Sequence, residues 1–129
     1  MARPKSPDGE PTRAEIDILQ ILWKHGPSTV RFVNDELNKD KETLYTTTLK
    51  IMQIMHDKGM VYRDSCVMTH VYVSAIKEDQ VKKAMLRRFV DTVYKGSNSE
   101  LMIQLLGNQK ASKKELDLLK ELVKKMEKK

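Results

Sequence analysis

The stretch Thr43-Leu44-Tyr45-Thr46-Thr47-Thr48-Leu49-Lys50 gathers hydroxyls, apolar groups and one cation within a single short segment. Such side chains recognise; they do not catalyse. Threonine hydroxyls bond base edges or phosphate oxygens, threonine methyls touch the thymine methyl, and a lysine reaches guanine or phosphate. The same residue types also suit an ordinary solvated helix, so the elements around them must decide. Elsewhere the chemistry is thin. His25, His56 and His70 have no metal-ligand spacing with one another or with Cys66. The 5 glycines are scattered and form no phosphate loop. Asp35 and Glu36 are adjacent in sequence, as solvated carboxylates are, and do not face each other. No catalytic residue, metal site or cofactor is predicted. Cys66 is a lone thiol, either inert or a redox switch.

Placing the threonine stretch requires the flanking elements. Thr12-Arg13-Ala14-Glu15 has the pattern of a capping box, in which Thr12 caps a helix and Glu15 reaches back. That first helix is predicted to run to about Lys24, with Ile18, Leu19 and Leu22 as its apolar stripe, and to stop at His25-Gly26-Pro27. Ser28-Thr29 is long enough only for a strand stub. A second helix is expected over about Val30 to Leu37, burying Val30, Val33 and Leu37. After the polar turn 38–42, a third helix is predicted from about Thr43 to Lys58, ended by Gly59. At about 100° per residue, Leu44, Thr48, Ile51, Met52 and Met55 fall in one sector and are expected in the core. Thr46, Lys50, Gln53 and Asp57 point the opposite way, flanked by Thr47 and Leu49. Met60–Arg63 and His70–Ser74 alternate as short strands of a hairpin, linked through 64–69.

From Lys77 onward the pattern is helical. A fourth helix is expected over about Glu78 to Tyr94, with Val81, Met85, Phe89, Val90 and Val93 on one face. A fifth is expected over about Asn98 to Leu106, ended by Gly107-Asn108. Ser112-Lys113-Lys114-Glu115, a second capping box, opens a sixth helix striped by Leu116, Leu119, Leu122, Val123 and Met126. The fifth helix alone places Leu101, Met102, Leu105 and Leu106 within six residues. One short helix pair cannot bury that surface, and a symmetric dimer is the simplest cover. Folding back on the N-terminal part is the alternative. The expected dimer surface is Val90, Leu101, Met102, Leu105, Leu106, Leu116, Leu119, Leu122 and Val123.

Composition bounds these readings. The 129 residues, 40% apolar, carry a net charge of +6. Lys/Arg and Asp/Glu balance over residues 1–76, so the excess lies wholly in 77–129, and total charge does not locate a nucleic-acid surface. No apolar run exceeds three residues, far short of the roughly 20 that span a membrane. The start lacks a signal-peptide core. A cytoplasmic protein is predicted.

Three helices followed by a hairpin is the order of a winged helix-turn-helix domain, whose third helix enters the major groove. The expected fold is mainly α with a small β-hairpin wing: a disordered arm over 1–10, a winged-helix DNA-binding domain over 11–76 and a helical dimerisation region over 77–129. The DNA-contacting candidates are Thr43 and Tyr45, through hydroxyls near the helix start, then Thr46, Thr47, Leu49, Lys50 and Gln53 on its outer side. Arg63 and His70 on the wing complete the set. Two other readings remain open. One is a protein-interaction adaptor using the C-terminal helices. The other is a membrane-surface protein using the lysine-rich sixth helix, which ranks last because its apolar face lacks Trp and Phe.

The order and spacing of Thr12-Arg13-Ala14-Glu15, Ile21-Leu22-Trp23, Leu44-Tyr45-Thr46-Thr47-Thr48, Lys58-Gly59-Met60-Val61 and Val93-Tyr94-Lys95-Gly96 resemble the penicillinase repressor family (BlaI/MecI/CopY type) over about residues 10–128. The resemblance implies a bacterial winged-helix repressor that binds double-stranded operator DNA as a homodimer. It implies base reading at Thr46, Thr47, Leu49 and Lys50, the outer sector that geometry had already marked. It further implies a membrane-bound sensor metallopeptidase as partner, releasing DNA by cleavage within the dimerisation region. The chain departs from the pattern in three ways. Thr46 and Leu49 stand where penicillinase repressors proper carry basic side chains. Gln104-Leu105 aligns with their cleaved Asn-Phe bond. No cysteine follows Cys66, whereas the copper-responsive branch carries a C-terminal Cys-x-Cys pair.

Overall fold

A computed structural model describes residues 10–64, 70–108 and 112–127. The arm expected over 1–10 lies outside these residues except for Glu10, as do Cys66 and most of the hairpin link. The order is α1 (Arg13–His25), β1 (Ser28–Thr29), α2 (Val30–Asn38), α3 (Tyr45–Asp57), β2 (Val61–Asp64), β3 (Val71–Ser74), α4 (Glu78–Val93), α5 (Asn98–Asn108) and α6 (Lys113–Glu127). The chain falls into two compact units that divide after Met85.

Local chemistry explains where α1 begins and ends. Thr12 is extended, its hydroxyl accepts from the Glu15 amide at 3.2 Å, and the Glu15 carboxylate accepts from the Thr12 amide at 2.9 Å. Two donors that the first turn leaves orphaned are thereby satisfied. Gly26 closes the helix at φ 80°, with its N–H donating to the Leu22 carbonyl. A side chain is disfavoured at that left-handed angle, so glycine belongs there. Thr29 repeats the capping device for α2, accepting from the Phe32 amide.

The first unit has one core. Ile18, Leu19 and Leu22 of α1, Val30 and Val33 of α2, and Met52 and Met55 of α3 pack with Met60, Val61 and Tyr72. Burial of each such side chain contributes about 1.5–3 kcal/mol relative to exposure. The three strands form an antiparallel sheet in the order β1-β3-β2, with Ser28 opposite Tyr72 and Arg63 opposite Tyr72 on the other side. Trp23 ties α1 to the sheet's end: its indole N–H lies 3.0 Å from both the Ser74 hydroxyl and the Ile76 carbonyl.

Three expectations need correction. Leu44 is not in the core; it is the N-cap of α3 and 67% exposed. Helix α3 starts at Tyr45, two residues later than expected, so Leu44 never joins its angular series. Leu37 and Ile51 are only half-buried, packed at the core's margin. Gly107 does not end α5, which continues through Asn108.

In the second unit, the Ser97 hydroxyl accepts from the Glu100 amide at the start of α5. Ser112 and Glu115 form the reciprocal box at the start of α6, at 3.1 and 3.0 Å. None of the side chains of α6 is buried in the single chain.

Candidate nucleic-acid interface

The two faces of α3 are sharply different. Thr48, Met52 and Met55 have no solvent exposure at all, and that buried edge fixes the rotation of the helix. Thr46, Thr47, Lys50 and Gln53 are exposed on the remaining surface, with Asp57 at its far end. Leu49 is half-buried and packs against the core cluster, so of the outer-sector candidates it offers the least to a ligand.

A polar lock fixes the approach to α3. Asn34 of α2 is 7% exposed, and its amide donates to the Thr43 carbonyl at 3.0 Å and to the Thr48 hydroxyl at 2.8 Å. Asn38 accepts from the Thr43 amide at 2.8 Å and donates to the Asn34 carbonyl at 2.7 Å. Thr43 is thus held from both its backbone groups, and its hydroxyl is turned to the Lys41 carbonyl at 3.0 Å. The chain stays extended through Leu44, at φ −71° and ψ 144°, and then coils. Buried Asn34 bonds Thr48, and Asn38, at the surface, bonds Asn34 and Thr43, so side chains of α2 tie down the turn that leads into α3. The sequence alone gave no sign that Asn34 and Asn38 do this, because the partners lie up to 14 residues apart.

The start of α3 is open. Leu44 contributes no side-chain cap, and no acidic residue sits in the first turn. Uncapped amides and the positive end of the helix dipole favour an anion there. Tyr45, the first helical residue, is 40% exposed. The guanidinium of Arg31, on α2, lies over its ring at 5.2 Å from the centroid, a neighbour invisible from α3 alone.

The wing supplies Arg63 on β2, exposed, and His70 just before β3, also exposed. Arg63 meets α3 across a cleft of about 260 Å³ lined by Gln53, His56, Asp57, Arg63 and Tyr72. Gln53 and Arg63, one on the helix and one on the wing, are therefore brought together, while His70 does not line that cleft.

On the opposite side of α2, the Lys39 ammonium lies 2.7 Å from the Glu36 carboxylate and the His25 ring nitrogen lies 3.5 Å away. The hydrogen bond from Lys39 holds the Glu36 carboxyl below its usual range; burial opposes this, and the charges of Lys39, His25 and Lys24 add to it.

The C-terminal candidates divide. Val90 is 4% exposed and already covered in the single chain. Leu101 is half-buried. Met102, Leu105, Leu106, Leu116, Leu119, Leu122 and Val123 are all exposed. Gln104-Leu105 lies inside α5, with both side chains exposed.

A three-helix core whose third helix presents a polar face, followed by a two-stranded hairpin and further helices, defines a winged helix-turn-helix protein. The chain belongs to the penicillinase repressor family, whose model matches residues 11–125. It is similar to the penicillinase repressor of Staphylococcus aureus, 25% identical over 120 residues that cover 93% of this chain and 95% of the relative. It is similar also to the methicillin resistance regulatory protein MecI of Staphylococcus aureus strain N315, at 22% over 116 residues, covering 90% and 94%. The penicillinase repressor of Bacillus licheniformis is 23% identical over 114 residues, covering 85% and 86%. The family is one of transcriptional repressors, regulators rather than enzymes. Among the described residues, no helix is long and apolar enough to cross a membrane.

Proposed function

We propose that this protein is a sequence-specific DNA-binding repressor that acts as a cytoplasmic homodimer on operator DNA. The observation that carries the proposal is the asymmetry of α3. One face is locked in the core by Thr48, Met52 and Met55, and the other offers Thr46, Thr47, Lys50 and Gln53 to solvent. Thr46, Thr47 and Lys50 read base edges, with Leu49 giving an apolar edge to a thymine methyl. Tyr45 and the wing's Arg63 and His70 hold the sugar-phosphate backbone; the Thr43 hydroxyl, expected to join them, donates to the Lys41 carbonyl instead. Residues 11–76 form the DNA-binding domain.

Residues 77–129 form the dimerisation region in this proposal. The exposed apolar side chains of α5 and α6 need a cover, and a second copy supplies it while presenting two reader helices to two half-sites. Proteolytic release by a sensor metallopeptidase belongs to the same reading. Gln104-Leu105 sits within a helix, so a peptidase reaches that bond only through local unfolding of α5.

The test is fluorescence anisotropy of the purified chain on duplex DNA from upstream of its own gene, beside a shuffled duplex, across a salt series. Tighter binding to the native duplex is expected, with log affinity falling by roughly 0.9 per phosphate contact per log unit of salt. Equal, weak binding to both duplexes contradicts specific repression at that site. No retention of either duplex at low salt favours the adaptor reading, which the exposed faces of α5 and α6 also suit.

A further inference from the structure

We infer that Arg31 is a phosphate-contacting residue whose guanidinium is held in place by the ring of Tyr45. The inference rests on the DNA-binding reading above and adds a residue that lies outside the reader helix. Arg31 is the second residue of α2 and is exposed. Its guanidinium carbon lies 5.2 Å from the centroid of the Tyr45 ring, within cation–π range. Among the described residues no carboxylate pairs with it. Lys39, at the far end of α2, is by contrast bonded to Glu36.

Three features then converge on one edge of the domain. A guanidinium is a planar fork of N–H donors that matches phosphate oxygens, which a lysine in the same place cannot do. The Tyr45 hydroxyl extends from the ring beneath it. The first turn of α3, uncapped at Leu44, begins at the same tyrosine. The stack limits the rotamer entropy that an exposed arginine otherwise loses on binding. A contact of this kind positions the reader helix over the groove and carries no sequence information of its own. Asn34 and the core fix the angle between α2 and α3, so a phosphate anchored at Arg31 sets the register of Thr46 and Lys50 on the bases.

The test uses the full-length chain and a random-sequence duplex, together with the upstream duplex, in salt-dependent anisotropy. Arg31→Ala is expected to weaken binding to both duplexes by the same factor, roughly tenfold. It is also expected to reduce the salt slope by about 0.9, with the melting temperature unchanged. Arg31→Lys is expected to keep the slope and recover only part of the affinity. In the Tyr45→Leu background, Arg31→Ala is expected to lose most of its effect, because the guanidinium is no longer held. An unchanged salt slope in Arg31→Ala overturns the inference, as does a full-sized effect in the Tyr45→Leu background. A loss confined to the upstream duplex would make Arg31 a base reader and overturn it too. If the wild-type chain binds neither duplex, the DNA-binding reading falls and this inference falls with it; wild-type binding with an indifferent Arg31 sinks the inference alone.

Discussion

Lys50 is the single cation on the outer face of α3, and Thr46 stands one turn before it, so the pair divides the readout between charge and hydroxyl. If they contact bases, Lys50→Ala weakens operator binding by roughly 1–3 kcal/mol and relaxes sequence preference at the affected position. Anisotropy against a panel of single-base operator variants measures both, and an unaltered preference removes Lys50 from the readout. Asn34 makes a different kind of contribution. Its amide joins Thr43 to Thr48 inside the fold, and Asn34→Ala strands the buried Thr48 hydroxyl, while the Thr43 carbonyl keeps the Asn38 amide. A buried group left without its partner costs about 1–3 kcal/mol. The expected result is a lower denaturation midpoint together with weaker DNA binding, although Asn34 touches no DNA. An unchanged midpoint would show that the joint is held by apolar packing instead. Residues of this kind were the least legible in the sequence. The outer sector of α3 follows from angle and residue type. The Asn34–Thr48 bond and the Arg31–Tyr45 stack join separate helices, and no local pattern announces them.

At the scale of elements, the capping box at α1 does more than start a helix. The same Glu15 that accepts from Thr12 receives the Lys58 ammonium at 2.8 Å, with only 3% of its side chain exposed. It therefore joins the beginning of α1 to the residue that follows α3. Glu15→Ala removes the reciprocal cap and leaves a mostly buried ammonium unpaired, for which a loss of about 3–5 kcal/mol is expected by chemical denaturation. A loss below 1 kcal/mol, the range of an exposed pair, would mean that Lys58 swings out to water. Glu36 offers a pH signature. Its folded carboxyl titrates lower than an unperturbed one, chiefly through the Lys39 hydrogen bond. Its stabilising effect is thus present above the ordinary carboxylate range and is lost as the pH falls through the depressed value. Glu36→Gln is expected to flatten the acid limb of the stability–pH curve while leaving the curve parallel at neutral pH. The caps, the strand stub and the helix order were legible because each depends on a few neighbouring residues. The boundary at Leu44 was not, because Asn34 and Asn38 of α2 bond the backbone of Thr43, and Leu44 stays extended ahead of the first turn of α3. A 100° series begun at Thr43 therefore assigned Leu44 to a helix it does not enter.

At the scale of the whole molecule, the two units differ in what they leave uncovered. The first closes on one core, with Ile18, Leu19, Val33, Met52 and Met55 fully excluded from solvent. The second leaves Leu105 52% and Leu122 54% exposed in a single chain. If a second copy covers these faces, Leu105→Glu or Leu119→Glu should give a monomer in sedimentation velocity that binds operator poorly while the first unit keeps its melting transition. A persistent dimer would place the interface elsewhere. The C-terminal stripes were readable from apolar spacing, but that spacing does not identify what covers them. The charge sum was a weak guide in the same way: the balance over residues 1–76 hides a surface on which Arg31, Lys50 and Arg63 are all exposed.

The central claim is that the outer face of α3 reads DNA sequence, and a specificity ratio tests it directly. The affinity of the wild-type chain for its upstream duplex, divided by that for the shuffled duplex, is compared with the same ratio for a Thr46→Ala, Lys50→Ala double variant. If α3 is the reader, the ratio collapses toward one while the melting temperature and oligomeric state stay as they were. A double variant that discriminates between the two duplexes as well as the wild type does would contradict the claim.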